Sequence, residues 1–190
     1  MTRREKNAAA TREAMLSSAR RRFLQESYEN VGLRDIAGDA GVDVALVSRY
    51  FGSKEALFRE VLRGTRGDWV SLAACPEKLS VWLAELATRA HDADNAEDIE
   101  RLLIILRSAS SPKAARIVHD SFREDCLDPV AELVGEGGHA ELRASLALSL
   151  LIGTTVLRTI MDVGSLCPSD AGPVAARLER MFRAALLDAE

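Results

Sequence analysis

The chain has 190 residues, 28% of them charged and 47% hydrophobic, with only five prolines and twelve glycines, so it can bury a real core and leaves no room for a long flexible linker. Residues 1–66 hold 13 Lys+Arg against 9 Asp+Glu, while residues 67–190 hold 12 against 20; a head of net +4 thus precedes a body of net −8, as expected if the head alone meets a polyanion. The charged N-terminus has no apolar run behind it and is not a signal peptide, and three widely spaced cysteines, Cys75, Cys126 and Cys167, exclude the spacing of a zinc site or a disulfide frame and fit a reducing cytosol.

In chain order, TREAMLSSARRRFLQESYENVGLRDIA predicts a first helix and the entry to a second. The excess positive charge sits in Arg3, Arg4 and Lys6 and in Arg20, Arg21 and Arg22; alone, such runs are solvated faces or tails. The stretch Gly32 to Leu62, GLRDIAGDAGVDVALVSRYFGSKEALFREVL, then reads as helix, tight turn, short helix and the start of another. Leu33, Ile36, Ala37 and Ala40 fall at i, i+3, i+4 and i+7 and make one apolar face. Gly41 supplies the turn, and Asp43 stands where its carboxylate can cap a helix through Val44 to Phe51. Val47 and Phe51 point inward. The other face, Val44, Ala45, Ser48, Arg49 and Tyr50, combines small side chains with one guanidinium and one phenol and can enter a DNA groove. Gly52 closes this helix, and Ser53 caps the next, with Lys54 in its first turn.

The segment GLRDIAGDAGVDVALVSRYFGSKEALF resembles the DNA-binding signature of the TetR/AcrR family of bacterial transcriptional regulators, and the similarity extends over roughly residues 11 to 62. The helix-turn-helix pattern is weak alone; the added Tyr50-Phe51-Gly52-Ser53-Lys54-Glu55 makes it specific. The chain departs from the family pattern in three places. Val31 and Gly32 replace a Thr or Ser pair, which removes a hydroxyl contact to phosphate but leaves Gly32 able to cap. Arg22 stands where an apolar residue normally precedes Phe23. Ser27 replaces a glycine expected to be left-handed before Tyr28. The resemblance implies a three-helix helix-turn-helix DNA-binding domain, placed at residues 1–53, and a C-terminal helical ligand-binding and dimerisation domain at 54–190. Its expected DNA contacts are Arg34, Val44, Ala45, Ser48, Arg49, Tyr50 and Lys54.

Beyond the signature the pattern stays helical, with no alternating strand and no internal repeat. Lys54 to Ala73 reads as one long helix ending near Cys75-Pro76, followed by Lys78 to His91 and an acidic turn, Asp92 to Asp98, with Asp94 or Asn95 as cap. A helix holding Leu102, Leu103, Ile105 and Leu106 comes next. Another starts at Ser111-Pro112 and runs past Phe122 and Val130 to Gly135. The fold expected is all-α.

Between Ala140 and Met161 the chain is apolar nearly all round, so this helix must be buried, in the core of a single chain or against a second copy. Arg158 and Asp162 interrupt its apolar run, which argues against a membrane span. The resemblance implies the homodimer, with Leu146, Leu150, Gly153, Leu157, Val174, Leu178 and Phe182 at its interface and two recognition helices reading a pseudo-palindromic operator. It also implies a small-molecule effector, of a kind the sequence does not name, whose binding releases DNA. Trp69, Trp82, Leu86, Ile104, Arg107, His119, Phe122, Cys126 and Met161 are the candidate lining; by type alone they are core residues. His119 and Cys126 share a helix face but lack a third metal ligand, so no metal and no cofactor is expected. No nucleophile elbow or phosphate loop groups the residues an enzyme would need. The reading is a cytoplasmic ligand-responsive regulator; the alternative is a DNA-binding dimer without a small-molecule ligand, controlled by a protein partner or by abundance.

Overall fold

The computed structural model describes residues 3–63, 73–89, 96–135, 139–167 and 171–187, and every element among them is helical. They form α1 (Arg3–Gln25), α2 (Leu33–Asp39), α3 (Val44–Phe51), α4 (Lys54–Arg63), α5 (Pro76–Thr88), α6 (Ala96–Ser108), α7 (Pro112–Phe122), a π turn (Arg123–Leu127), α8 (Asp128–Val134), α9 (Ala140–Thr155), a second π turn (Val156–Ile160) and α10 (Gly172–Leu187). Of the long helix expected over Lys54 to Ala73, the part to Arg63 is observed and Ala73 is helical; residues 64–72, with Trp69, and the expected caps Asp94 and Asn95 lie outside the described residues. The helix expected to begin at Lys78 starts two residues earlier, because Pro76 occupies its first turn.

The chain divides into two compact units, and the division differs from the expected boundary at residue 53. Residues 1–65 and 93–121 form one unit; 66–92 and 122–190 form the other. The cause is visible in α4, whose Leu57, Phe58, Val61 and Leu62 are buried with Met15, Phe23, Tyr28 and Val47 in the first core. Helices α6 and α7 add Ile104, Ala114 and Ile117 to the same core. At its centre Phe58 meets Phe23 and Tyr28 edge-on, with centroids 4.8 and 4.9 Å away, while Phe23 and Tyr28 stack at 5.9 Å. Such aromatic contacts add to the area they bury.

The second unit packs Leu79, Leu83, Leu127, Val130, Ala144, Leu148, Leu178 and Phe182. Its helices are not as uniform as expected. The run from Ser111 to Gly135 is interrupted by the π turn at Arg123–Leu127, and α9 ends in the π turn at Val156–Ile160. The latter directs Arg158 to donate to the carbonyls of Ala87, in the last turn of α5, and of Arg89, its C-cap, at 3.2 and 2.6 Å. The 21-residue stretch Ala140–Ile160 is long and apolar enough to cross a membrane by length and composition alone, with mean hydropathy 1.4 over its most apolar 18 residues.

Candidate nucleic-acid interface

The helix-turn-helix is built as its residues dictate. On α2, Ile36 and Ala37 are buried, and the Gly32 N–H donates to Asp35 Oδ2 at 3.2 Å. A Cβ at position 32 would lie 2.6 Å from that oxygen, so the Thr or Ser of the family pattern would have to displace it. Gly41 takes φ +66° at the turn, which only glycine adopts without strain. Asp43 then caps α3, its carboxylate accepting from the Ala45 N–H at 2.7 Å. Gly52 ends the helix at φ +79° with its N–H on the Ser48 carbonyl, and Ser53 Oγ caps α4 through the Ala56 N–H at 3.1 Å.

Ser27, in contrast, is not left-handed. Its carbonyl accepts from the Asn30 N–H at 3.0 Å in an ordinary turn, so glycine is not required there.

This frame presents one face of α3 outward. Val47 and Phe51 anchor it in the core, whereas Ala45, Ser48 and Arg49 are exposed; Val44 and Tyr50 are half-buried against the core. Arg34 is exposed on α2. Among the described residues the Arg34 and Arg49 side chains have no ion pair or hydrogen bond. Arg12 and Arg63 share the carboxylate of Glu60, Arg20 is bound to Glu97, and Arg22 to Asp39 and Glu26. An unpaired guanidinium leaves its fork of N–H donors open to an incoming phosphate or base edge. Lys54 is differently placed. Its ammonium lies 4.4 Å from the Tyr28 ring centroid and 3.5 Å from the Glu29 carbonyl, and partial burial lowers its pKa from the usual lysine value.

The candidate effector residues fall in both units. Ile104 is completely buried in the first core, so it is a packing residue rather than cavity lining. In the same unit Arg107 is exposed and donates to the Gln25 carbonyl at 3.1 Å, and exposed His119 lies 3.3 Å from Asp120. In the second unit Trp82, Phe122 and Cys126 are partly buried against the core, Leu86 is half-buried, and Met161 is 63% exposed.

The interface candidates divide as well. Leu146, Gly153 and Leu157 are exposed on α9 and the π turn after it, and Leu150 and Val174 are half-buried. Leu178 and Phe182 are corrected: they are at most 5% exposed and fill the core of their own unit. The outward apolar residue of α10 is Met181, which helical spacing alone could not separate from its neighbour Phe182. Burial of the α9 region on all sides does not occur within one chain, where Leu142, Leu146, Leu157, Ile160 and Met161 are all more than 40% exposed.

A helix-turn-helix with an outward recognition face, in an otherwise all-helical chain, is the architecture of a DNA-binding regulator. Residues 15–61 match the bacterial regulatory proteins of the tetR family, and residues 82–186 match the tetracyclin repressor-like C-terminal domain. The chain belongs to the TetR family of transcriptional regulators. The HTH-type transcriptional regulator BetI of Agrobacterium fabrum (strain C58 / ATCC 33970) is 32% identical over a 120-residue match that covers 50% of this chain and 56% of BetI. The match therefore spans little more than half of that relative. Among solved structures, NalD, the secondary repressor of the MexAB-OprM multidrug efflux pump in Pseudomonas aeruginosa, superposes with a TM-score of 0.71 at 20% identity, over 96% of this chain and 99% of its own. A TetR-family regulator of Streptomyces coelicolor A3, SCO0857, is 28% identical with a TM-score of 0.51, over 94% and 95% of the two chains. GusR of Salmonella enterica gives 0.65 at 19% identity, over 93% and 95%.

Proposed function

We propose that this chain is a cytoplasmic repressor that binds a pseudo-palindromic operator as a homodimer and is released by a small hydrophobic effector. The observation that carries the DNA-binding part is the pair of unneutralised guanidiniums, Arg34 and Arg49, beside the small exposed side chains Ala45 and Ser48 on a helix anchored by Val47 and Phe51. A helix with small outward residues can approach base edges closely, and Arg is the side chain best shaped to pair with guanine. Tyr50 and Lys54 flank this face and are assigned to phosphates. Repression is supported by the similarity of fold to NalD, a repressor.

The dimer is supported by the apolar stripe Leu142, Leu146, Gly153 and Leu157, joined by Met181. Side chains of this size left in water are costly, and a two-fold contact would cover them while pairing two recognition helices. The effector reading rests on Trp82, Leu86, Phe122 and Cys126, a partly buried apolar and aromatic group in the second unit. An effector acts by favouring one arrangement of the two heads over another, not by tight binding alone. The deciding experiment is selection of DNA from a random-sequence duplex pool by the purified protein. A two-fold symmetric sequence is expected; recovery of no preferred sequence would overturn the reading. Titration of hydrophobic compounds against Trp emission and operator release then separates an effector-controlled regulator from a ligand-free dimer.

A further inference from the structure

We infer that Arg22 and Asp39 form a brace that sets the angle of the helix-turn-helix on α1, making both of them positioning residues for operator recognition. The inference rests on the operator-binding reading above. Arg22 lies in the last turn of α1 and Asp39 is the final residue of α2. Arg22 Nε donates to Asp39 Oδ2 at 2.6 Å and Nη2 donates to Oδ1 at 2.8 Å, while Nη1 donates to Glu26 Oε1 at 3.2 Å. The two parallel bonds fix orientation as well as distance, because a planar fork meets a planar carboxylate in one geometry.

The position of this fork is what gives it consequence. Asp39 stands immediately before the turn through Gly41 that leads to the Asp43 cap, so holding the end of α2 holds the origin of α3. An apolar residue at position 22 would bring the helices together without fixing that angle. Arg22 is not free to serve as a phosphate ligand, since two carboxylates already occupy its guanidinium. The fork also holds the Asp39 carboxyl below the usual carboxylate range, so the brace persists into acid.

The test uses a reversal of sign. Asp39→Asn removes a negative charge from a domain that binds a polyanion, and charge alone would leave DNA binding unchanged or tighten it. The brace instead requires operator affinity to fall severalfold, the order expected when an exposed bidentate pair is lost, while affinity for random duplex is unchanged or higher. Arg22→Ala should lower operator affinity with an unaltered salt slope, whereas loss of a direct phosphate contact would reduce the slope by about one. Combining the two changes should cost no more than either alone. Should Arg22→Ala prove too unstable, the isosteric Asp39→Asn carries the test by itself, checked by its helical circular dichroism. Operator binding by Asp39→Asn at or above wild-type strength would overturn the brace and leave the operator reading intact. Absence of any selected sequence for the wild-type protein would overturn both.

Discussion

At the scale of single residues, charge and exposure separate side chains that composition treats alike. Arg49 and Arg34 are exposed and have no partner among the described residues, while Arg12, Arg20, Arg22 and Arg63 are tied to carboxylates. Arg49→Ala should therefore weaken operator binding by about 1–3 kcal/mol and relax specificity at one base position, measured by fluorescence anisotropy on single-base operator variants. Lys54→Ala should weaken binding to all sequences and reduce the salt slope; an unchanged slope would mean that the ammonium stays on Tyr28 and Glu29 when DNA is bound. Tyr28 gives a prediction in pH. Burial, with Glu55 and Glu29 nearby, pushes its phenol up to about 12, so the folded state holds that proton more tightly than the unfolded chain does. The stability this confers is complete below the ordinary tyrosine value of 10.0 and is lost as pH rises through about 12. Urea unfolding at a series of alkaline pH values should show that loss in the wild type, and Tyr28→Phe should flatten it.

At the scale of elements, the parts closed by local chemistry were legible in the sequence and the parts closed by distant contacts were not. The turn at Gly41, the Asp43 cap, the Gly52 stop and the Ser53 cap each involve neighbours within a few residues, and all are found as read. Asp43→Ala should cost about 1 kcal/mol of stability through the lost cap. Gly52→Ala should also destabilise, because it forces a side chain to φ +79°, and thermal unfolding of both variants checks the pair. The two π turns were not legible: an extra residue in a helical turn leaves the apolar pattern nearly intact. Nor was the membership of α6 and α7 in the head. It depends on Arg20 with Glu97, Arg107 with the Gln25 carbonyl and Ser111 with Glu29, contacts about eighty residues apart that no periodicity records. The Arg22–Asp39 fork escaped for the same reason. Leu178 and Phe182 were misplaced because an amphipathic stripe shows that a face is covered, not whether its own chain or a second copy covers it.

At the scale of the whole molecule, Gly153 distinguishes a lone chain from a dimer. It is exposed, and a Cβ there would meet nothing within 4 Å inside the chain. In a monomer Gly153→Ala should stabilise α9 by up to about 1 kcal/mol through helix propensity alone. In the proposed dimer the added methyl meets the partner helix and the gain is lost, while Gly153→Arg should yield monomers by sedimentation and abolish tight operator binding. The chain also passes between its two units at three places, after residues 65, 92 and 121, so the head is assembled from two separated lengths of sequence. A fragment ending at Arg63 would retain every nominated DNA contact and yet lack Ile104, Ala114 and Ile117 from its core, together with the partners of Arg20 and Glu29. Circular dichroism of that fragment should report an unfolded or aggregating chain. The reading head is therefore not a portable cassette: exchanging operator specificity with a relative by splicing at the end of α4 should fail, and a working chimaera must carry residues 93–121 along with the first 65.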